Sequence, residues 1–391
     1  MNKSQKKPTE VRRVAMESVS LDFSDSIPAM SFKEDKRLGI IKAGDDNAYF
    51  DFLEELVTDG SGKHSAIISK KTKMIAGNGF QNDRNGVLKD FIRNSNGNGT
   101  LTNIAKLVAM DLEVFNAFAL IVRWNNDKTY ISAIDHKSVK EVRKGIQEGV
   151  WKVSDDWKNP NKPESNTRSY REFTGKKGLP ADFESLNDEE KEMQLVEVIY
   201  YKVAGIGSKH YGVPYYKPSI DWILTDKECG KYSFNNVNNN FVGGYHIDFI
   251  SEVLPTNDER RDIKQKFKKE YTGAEAEKVI MTFSEAGSKT QITPLPTNGS
   301  EDAFMNTEMR AQENIFIIHE VVNPLLFGIR VPGQLGGGDE LEESLSIFQS
   351  TYIDSKQEII EDVLNMLARI NGLVEELKLK PYVVTKPKQS I

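Results

Sequence analysis

The chain has 391 residues, of which 38% are hydrophobic and 28% charged, and its formal net charge is −6. That length supports two or three substructures, each with a real core, while the acidic balance excludes the surface as a whole from acting as a counterion for nucleic acid. The single cysteine, Cys229, excludes an intrachain disulfide framework and a multi-cysteine zinc site; with no window near the ~18 apolar residues of a membrane span, a soluble protein of a reducing compartment is expected.

In chain order, "MNKSQKKPTEVRR" is basic and polar with no apolar core behind it, so residues 1–44 read as a flexible arm rather than a secretory signal. "AYFDFLEELVTDGSGKHSAIISKKTKMIAGNGF" predicts two helices around a Gly-Ser-Gly turn. Ala66, Ile67, Ile68, Met74 and Ile75 form the apolar face of the second, lysines its wet face, and Gly77 and Gly79 its end. A helix is expected from Asn103, read as its N-cap, running into a β-rich stretch from Phe118 to Trp124. "DKTYISAIDHKSVKEVRK" and "VEVIYYKVA" continue the strands, so this half reads as one sheet with helices packed on it. The polar, aliphatic-poor segment from Ser154 to about 192 reads as a long surface excursion.

The second half has a different pattern. "DERRDIKQKFKKEY" carries Ile263, Phe267 and Tyr271 as a narrow stripe on a charged helix. "KVIMTF" and "KTQITPL" read as short strands around "SEAGS". A further helix places Phe304, Ala311, Ile315, Ile318 and Val322 on one face. A glycine-rich loop follows, and then a helix from about Asp339 to Ile370, whose acidic first turn suits the positive end of the macrodipole.

No motif spells out catalysis. The glycine loop lacks the Lys-Ser/Thr of a phosphate-binding loop, and Gly338 is followed by Asp339 and Glu340, which repel phosphate. "GSGKH" and "GIGSKH" miss the required spacing. "HEVVN" at His319 lacks the second histidine of a zinc helix, and the five histidines (His64, His136, His210, His246, His319) form no sequence-local cluster. Cys229 reads as a packing residue. No enzyme, cofactor or metal is expected. The interleaved charges of the basic helix favour solvation or contact with a neighbouring copy over nucleic-acid binding.

Three stretches, taken in order, resemble phage portal proteins, the head-to-tail connectors of tailed phages, and specifically the PBSX-type group. "KHSAIISKKTKMIAGNGF" is similar to a wing helix ending in Gly-x-Gly-Phe. "HYGVPYYKPSIDWILTDKECGKYSFNNVNNNFVGGYHIDF" is similar to the family's Tyr-Gly-x-Pro turn, helix and Asn-rich turn. "NPLLFGIRVPGQLGGGDELEESLSIFQSTYIDSKQEIIEDVLNML" is similar to its tunnel loop and following helix. Together these span roughly residues 45 to 375. Asn116-Ala117 stands where the family often has Gly-Asn, and "NNNFVGG" rearranges its Asn-Gly-Ala step.

The resemblance implies an α+β portal fold: a mixed α/β wing (45–255), a first stem helix (256–278), a small β-containing clip (279–300), a second stem helix (301–322), a tunnel loop (323–338) and a C-terminal wing or crown helix with its tail (339–391), any large helical crown being missing or reduced. It implies a homo-oligomeric ring, dodecameric by analogy, at one capsid vertex of the virion, assembled in the host cytoplasm. Double-stranded DNA would pass through it during packaging and ejection, with no membrane partner. Large terminase, head-tail adaptors, and major capsid and scaffold proteins would be the partners. The implied DNA-facing loop residues are Arg330, Val331, Gln334, Gly336, Gly337 and Gly338, and the channel-lining stem residues Glu308, Glu313 and Glu320. Ile263, Phe267 and Tyr271 would form the subunit interface, and Glu285, Ser288 and Lys289 would face the terminase. A nucleic-acid-processing enzyme with dispersed active residues, and a scaffold or adaptor that never touches DNA, stay open as alternatives.

Overall fold

The computed structural model describes residues 31–81, 90–91, 100–238, 245–251, 256–271, 279–285, 291–294, 301–329 and 338–383. Its centre is set by β3 (Ala117–Trp124), which is buried at every position but Arg123. A strand covered on both faces must be an interior one. β3 accordingly lies between β4 (Ile131–Lys137) and β8 (Val196–Lys202), antiparallel to both. The six-stranded sheet runs β4-β3-β8-β7-β6-β5, with β5 (Val142–Lys144), β6 (Val150–Val153) and β7 (Arg168–Glu172) completing it.

The sheet corrects one sequence expectation. The polar excursion from Ser154 is not wholly external: its β7 is inserted between β6 and β8 and runs parallel to β8. The aliphatic-poor sequence hid a strand because its neighbours in the sheet, rather than an apolar alternation, supply its partners. Around it, side chains satisfy the backbone locally; buried Ser154 donates from Oγ to the carbonyls of Asp156 and Ser165 (both 3.2 Å). The segment closes with a short helix, α4 (Asp188–Leu195), started by a reciprocal capping box between Asn187 and Glu190.

Three helices cover the sheet's core: α1 (Tyr49–Thr58), α2 (Gly62–Ala76) and α3 (Leu101–Phe115). Thr100, not Asn103, caps α3, its hydroxyl accepting the Asn103 N–H (3.3 Å). Asn116 ends the helix in the left-handed region (φ 54°), and its side-chain amide donates to the Val213 carbonyl (3.0 Å). That clasp explains the Tyr-Gly-x-Pro turn. A Cβ on Gly212 would stand 2.5 Å from the Phe115 carbonyl oxygen and 2.7 Å from that of Asn116. Only glycine lets the two backbones meet.

The second half departs further from the expected order. β9 (Tyr245–Ser251) is the middle strand of a separate three-stranded sheet, parallel to β10 (Val279–Glu285) and antiparallel to β11 (Gln291–Pro294). Parallel neighbours need a crossover, and here it is α6 (Asn257–Tyr271). The helix expected to start a stem is therefore the connection inside a βαβ unit. The partner of α7 (Glu301–Ile318) is α5 (Ile220–Asn238), and the two pack as a hairpin. α7 buries Ala311 and Ile315 as expected, but it stops at Ile318; Glu320 takes φ 53°, and Val322 is exposed and off the helix.

The C-terminal helix is not uniform. α8 (Gly338–Phe348) and α9 (Asp354–Ile370) are joined by a π-helical turn over Gln349–Ile353. The chain after α9 returns to α2, where Leu379 bridges Phe80 and Gln81 N–H donates to the Lys378 carbonyl (2.8 Å).

Gly212→Val should lower unfolding stability by about 2–4 kcal/mol, because the side chain must displace two backbone carbonyls. Urea denaturation followed by circular dichroism checks this, and an unchanged midpoint would show that the turn can move away.

Candidate functional site

Two features stand out where the second half meets the first: the α5/α7 hairpin, and a buried polar junction at its base. The junction is built from side chains that the sequence scatters. Glu113 points inward from the last turn of α3 and is fully buried. Tyr215, from the segment just after Gly212, donates its hydroxyl to Glu113 Oε2 (2.8 Å), and Tyr352, from the π turn, donates to both oxygens (2.9 and 3.0 Å). The Lys71 ammonium lies 3.6 Å from the centre of the Tyr352 ring and 4.8 Å from that of Tyr215. Lys71 belongs to the face of α2 read as wet, yet it is fully buried. Burial pushes its pKa down to about 8, against the opposing pull of Glu113.

His319 immediately follows α7 and enters the same network. Its Nδ1 lies 3.0 Å from the Tyr215 hydroxyl and its Nε2 2.8 Å from Nδ1 of His64. With the Tyr215 hydrogen committed to Glu113, His319 carries its proton on Nδ1 and accepts at Nε2 from His64 Nδ1–H. Burial, and then the Lys71 charge, hold His64 down to about 4; burial, Lys71 and His64 keep His319 well below its usual value. Both imidazoles are neutral at pH 7. The five histidines are scattered along the sequence, and the fold makes a pair from residues 255 apart.

The glycine loop is rooted in this junction from both sides. Before it, Asn323 caps the 3-10 turn Pro324–Phe327 by accepting the Leu325 N–H (3.0 Å), and its amide reaches Ser344 Oγ on α8 (3.4 Å). The Phe327 ring meets Phe348 edge-on at 5.5 Å, and Phe348 stacks on Tyr352 at 5.2 Å. Tyr352 then leads back to Glu113. The loop's roots are held by aromatic contacts.

The expected site residues divide as follows. Arg330, Val331, Gln334, Gly336 and Gly337 lie outside the described residues, and Gly338 opens α8. Glu308, Glu313 and Glu320 are all exposed, but they do not form one row. Glu308 and Glu313 stand ~140° apart around α7 at 100° per residue; Glu308 turns toward Lys63 (3.7 Å), and Glu320 sits beyond the helix end. Glu285 ends β10 opposite Ser251, while Ser288 and Lys289 lie outside the described residues. Ile263 is half-buried on α6, and the side chains of Phe267 and Tyr271 lie outside the described residues. Cys229 is buried on α5. Among the described residues no group of three or more His, Cys, Asp or Glu side chains could hold a metal, and no helix is long and apolar enough to cross a membrane.

No protein-family model matches the chain, and no curated protein matches it in sequence. Among solved structures it is similar to a chain of the virion of a native gene transfer agent particle, with 10% identity over 85% of this chain and 83% of that one, and a TM-score of 0.52. It is similar also to a chain in the neck of the native particle computed with C12 symmetry, with 11% identity, coverage of 86% and 85%, and a TM-score of 0.52. An HK97-family phage portal protein from Corynebacterium diphtheriae aligns at 11% identity over 84% of this chain and 95% of that one, with a TM-score of 0.49. The fold is α+β, and its likeness to the particle chains runs through both halves.

Neutral burial of His64 has a consequence for pH. Its folded pKa of about 4 lies below the ordinary value of 6.5, so the unfolded chain binds the extra proton between those values. Stability should be fully present above about pH 6.5 and fall as pH drops toward 4, by up to ~1.4 kcal/mol per pH unit for each such group. Urea midpoints between pH 7.5 and 4.5 check this. His64→Gln should show a shallower fall than the parent chain, and parallel curves would show that the histidine does not titrate with unfolding.

Proposed function

We propose that this chain is a subunit of a ring-shaped channel in the neck of a phage-like particle. More particularly, we propose a portal protein, the connector at one capsid vertex through which double-stranded DNA is packaged and ejected; its motifs favour the PBSX-type group. The observation that carries the reading is the combined one: a fold shared along more than four-fifths of the chain with a virion chain and a neck chain of a gene transfer agent particle, and a helical hairpin joining a large α/β body to a small separate sheet.

On this reading the six-stranded sheet with α1–α3 and α9 is the wing, α5 and α7 are the stem, and β9, α6, β10 and β11 are the clip. α6 then belongs to the clip, as the crossover between its parallel strands β9 and β10. The glycine loop around Arg330 to Gly338 is the tunnel loop. Its one cation and repeated glycines suit a segment that touches duplex DNA without gripping it, because every phosphate neutralised adds affinity that translocation must break. Glu313 and Glu320 work in the same direction. The clip would dock the large terminase and later the head-tail adaptors, and the wing would meet capsid and scaffold. No catalytic step is assigned to the chain.

Negative-stain images of the purified full-length protein should contain closed rings with an axial hole; a homogeneous monomer across a range of concentrations and salts would overturn the reading. Deleting Gly336 to Gly338 should leave rings intact and cut DNA packaging at least tenfold in a complementation assay. Normal packaging by the deletion variant would remove the loop from the mechanism.

A further inference from the structure

The six-stranded sheet ends on β4 at one side and β5 at the other, yet only the short 3-10 turn Val139–Glu141 joins those two strands in sequence. Such a turn rises ~2 Å per residue, whereas five strand spacings of ~4.8 Å would hold the edges of a flat sheet ~24 Å apart. The sheet must therefore curl until its edges approach. They meet where Lys137, ending β4, pairs with Asp155, just past β6 (2.9 Å). Beside that pair the seam opens into a cleft of about 510 Å³. Three consecutive β4 residues, Asp135, His136 and Lys137, line it. Neighbours along a strand face opposite sides, so the cleft runs along the edge of β4, on which no further strand pairs among the described residues. At the other end of that edge the Asn371 amide stands in for a partner strand, accepting from the Ile131 N–H (2.7 Å) and donating to its carbonyl (2.9 Å).

The open hydrogen-bonding capacity of the cleft suits an anion. Both lining carboxylates are already engaged, Asp135 by Arg123 Nε (3.0 Å) and Asp155 by Lys137 and the Asn166 amide (2.8 Å). Among the described residues Arg123 commits only Nε, which leaves both terminal nitrogens to donate. Arg168, on β7 across the cleft, gives one nitrogen to Glu192 (2.9 Å) and is 57% exposed. Tyr170 feels both guanidiniums: burial and then Glu192 push its hydroxyl up, while Arg168 and Arg123 pull it down. Beside these donors Ile104 and Leu107 of α3 supply an apolar wall, Leu107 with 49% exposure. A ligand matched to this cleft is extended and carries a carboxylate and apolar side chains on one face.

The arm of the chain contains such a segment. In "SVSLDFSDS", residues 18–26, Val19, Leu21, Phe23 and Asp25 alternate with polar residues, so one face of an extended strand shows three apolar groups and then a carboxylate. The described chain begins close enough for that segment to arrive. Phe32 packs on Tyr211 (ring centres 5.6 Å apart), Tyr211 on Tyr200 (6.0 Å) and Tyr200 on Trp151 (4.4 Å). Trp151 is the sheet partner of Tyr170, which lines the cleft. The seven residues from Phe32 back to Asp25 extend over ~23 Å, which covers that path.

We infer that the seam cleft is a peptide-docking site filled by the arm of the same chain. Residues 19–25 lie along β4 as an added strand, with Leu21 and Phe23 against Leu107 and the Asp25 carboxylate on Arg123. The inference is independent of the ring reading above.

Hydrogen exchange read by mass spectrometry on the full-length protein tests it. Amides of residues 19–26 should exchange at least tenfold more slowly than in Asp25→Lys, because ladder hydrogen bonds protect them. Arg123→Glu should lose the same protection, and the double variant, with the charges exchanged, should recover at least half of it. Should Arg123→Glu fail to fold, Arg168→Glu probes the same cleft. Full-length Asp25→Lys, its cleft vacated, should bind a synthetic peptide of residues 17–28 at least tenfold more tightly than the parent does. Free-chain exchange across residues 19–26 in the parent, or protection indifferent to the substitutions, would overturn the inference. So would failure of the peptide to bind, or protection lost on dilution, which would assign the occupant to a second copy. Ring formation is read separately on the same samples, so the portal reading stands or falls by itself.

Discussion

A fully buried carboxylate, Glu113, governs the junction between the two halves of this chain. Removing such a charge from solvent costs several kcal/mol even after the protein relaxes, and an unpartnered one is not tolerated. Glu113 is partnered by two tyrosine hydroxyls and shadowed by the buried ammonium of Lys71. Those partners come from α2, the turn after Gly212 and the π turn, and through Tyr215 the network reaches His319 at the end of α7. Satisfying one charge thereby ties the hairpin, the last long helices and the sheet layer into a single body. The π turn fits this role: it keeps Phe348, Tyr352 and Ile353 all buried, and Phe348 and Tyr352 pass the aromatic contacts on to the root of the glycine loop.

The hairpin is the opposite case. Where α5 begins, Ile220 and Ile223 pack into the core and Asp226 sits on the capping Ser61 of α2. Farther along, the same helix carries Phe234 and Val237 into solvent. Burying a large apolar side chain is worth about 1.5–3 kcal/mol, so Phe234 and Val237 in the open are apolar surface that the packing of the hairpin on the body does not cover.

Much of the sheet layer can be read from the chain alone. The run Ala117–Trp124 is apolar enough to require cover on both faces, and α2 and α3 show their buried sides as repeated aliphatic positions. The glycine loop, with its acidic helix start, is also legible as something other than a phosphate cradle. Other features escape because their cause is distant in sequence. β7 is a strand by virtue of β6 and β8, Lys71 is buried by rings from Tyr215 and Tyr352, and α6 is a crossover because β9, upstream of it, pairs with β10 downstream.

Sequence by itself determined the local rules of this protein: which stretches are helical or extended, where a glycine must stand, and that no compact catalytic motif is present. Tertiary structure alone decided which helix partners α7, which lysine and carboxylate go dry, and which histidines meet. The physical reason is range. Propensity, capping and periodicity act within a few residues, whereas desolvation and side-chain pairing depend on neighbours that only the folded chain brings together.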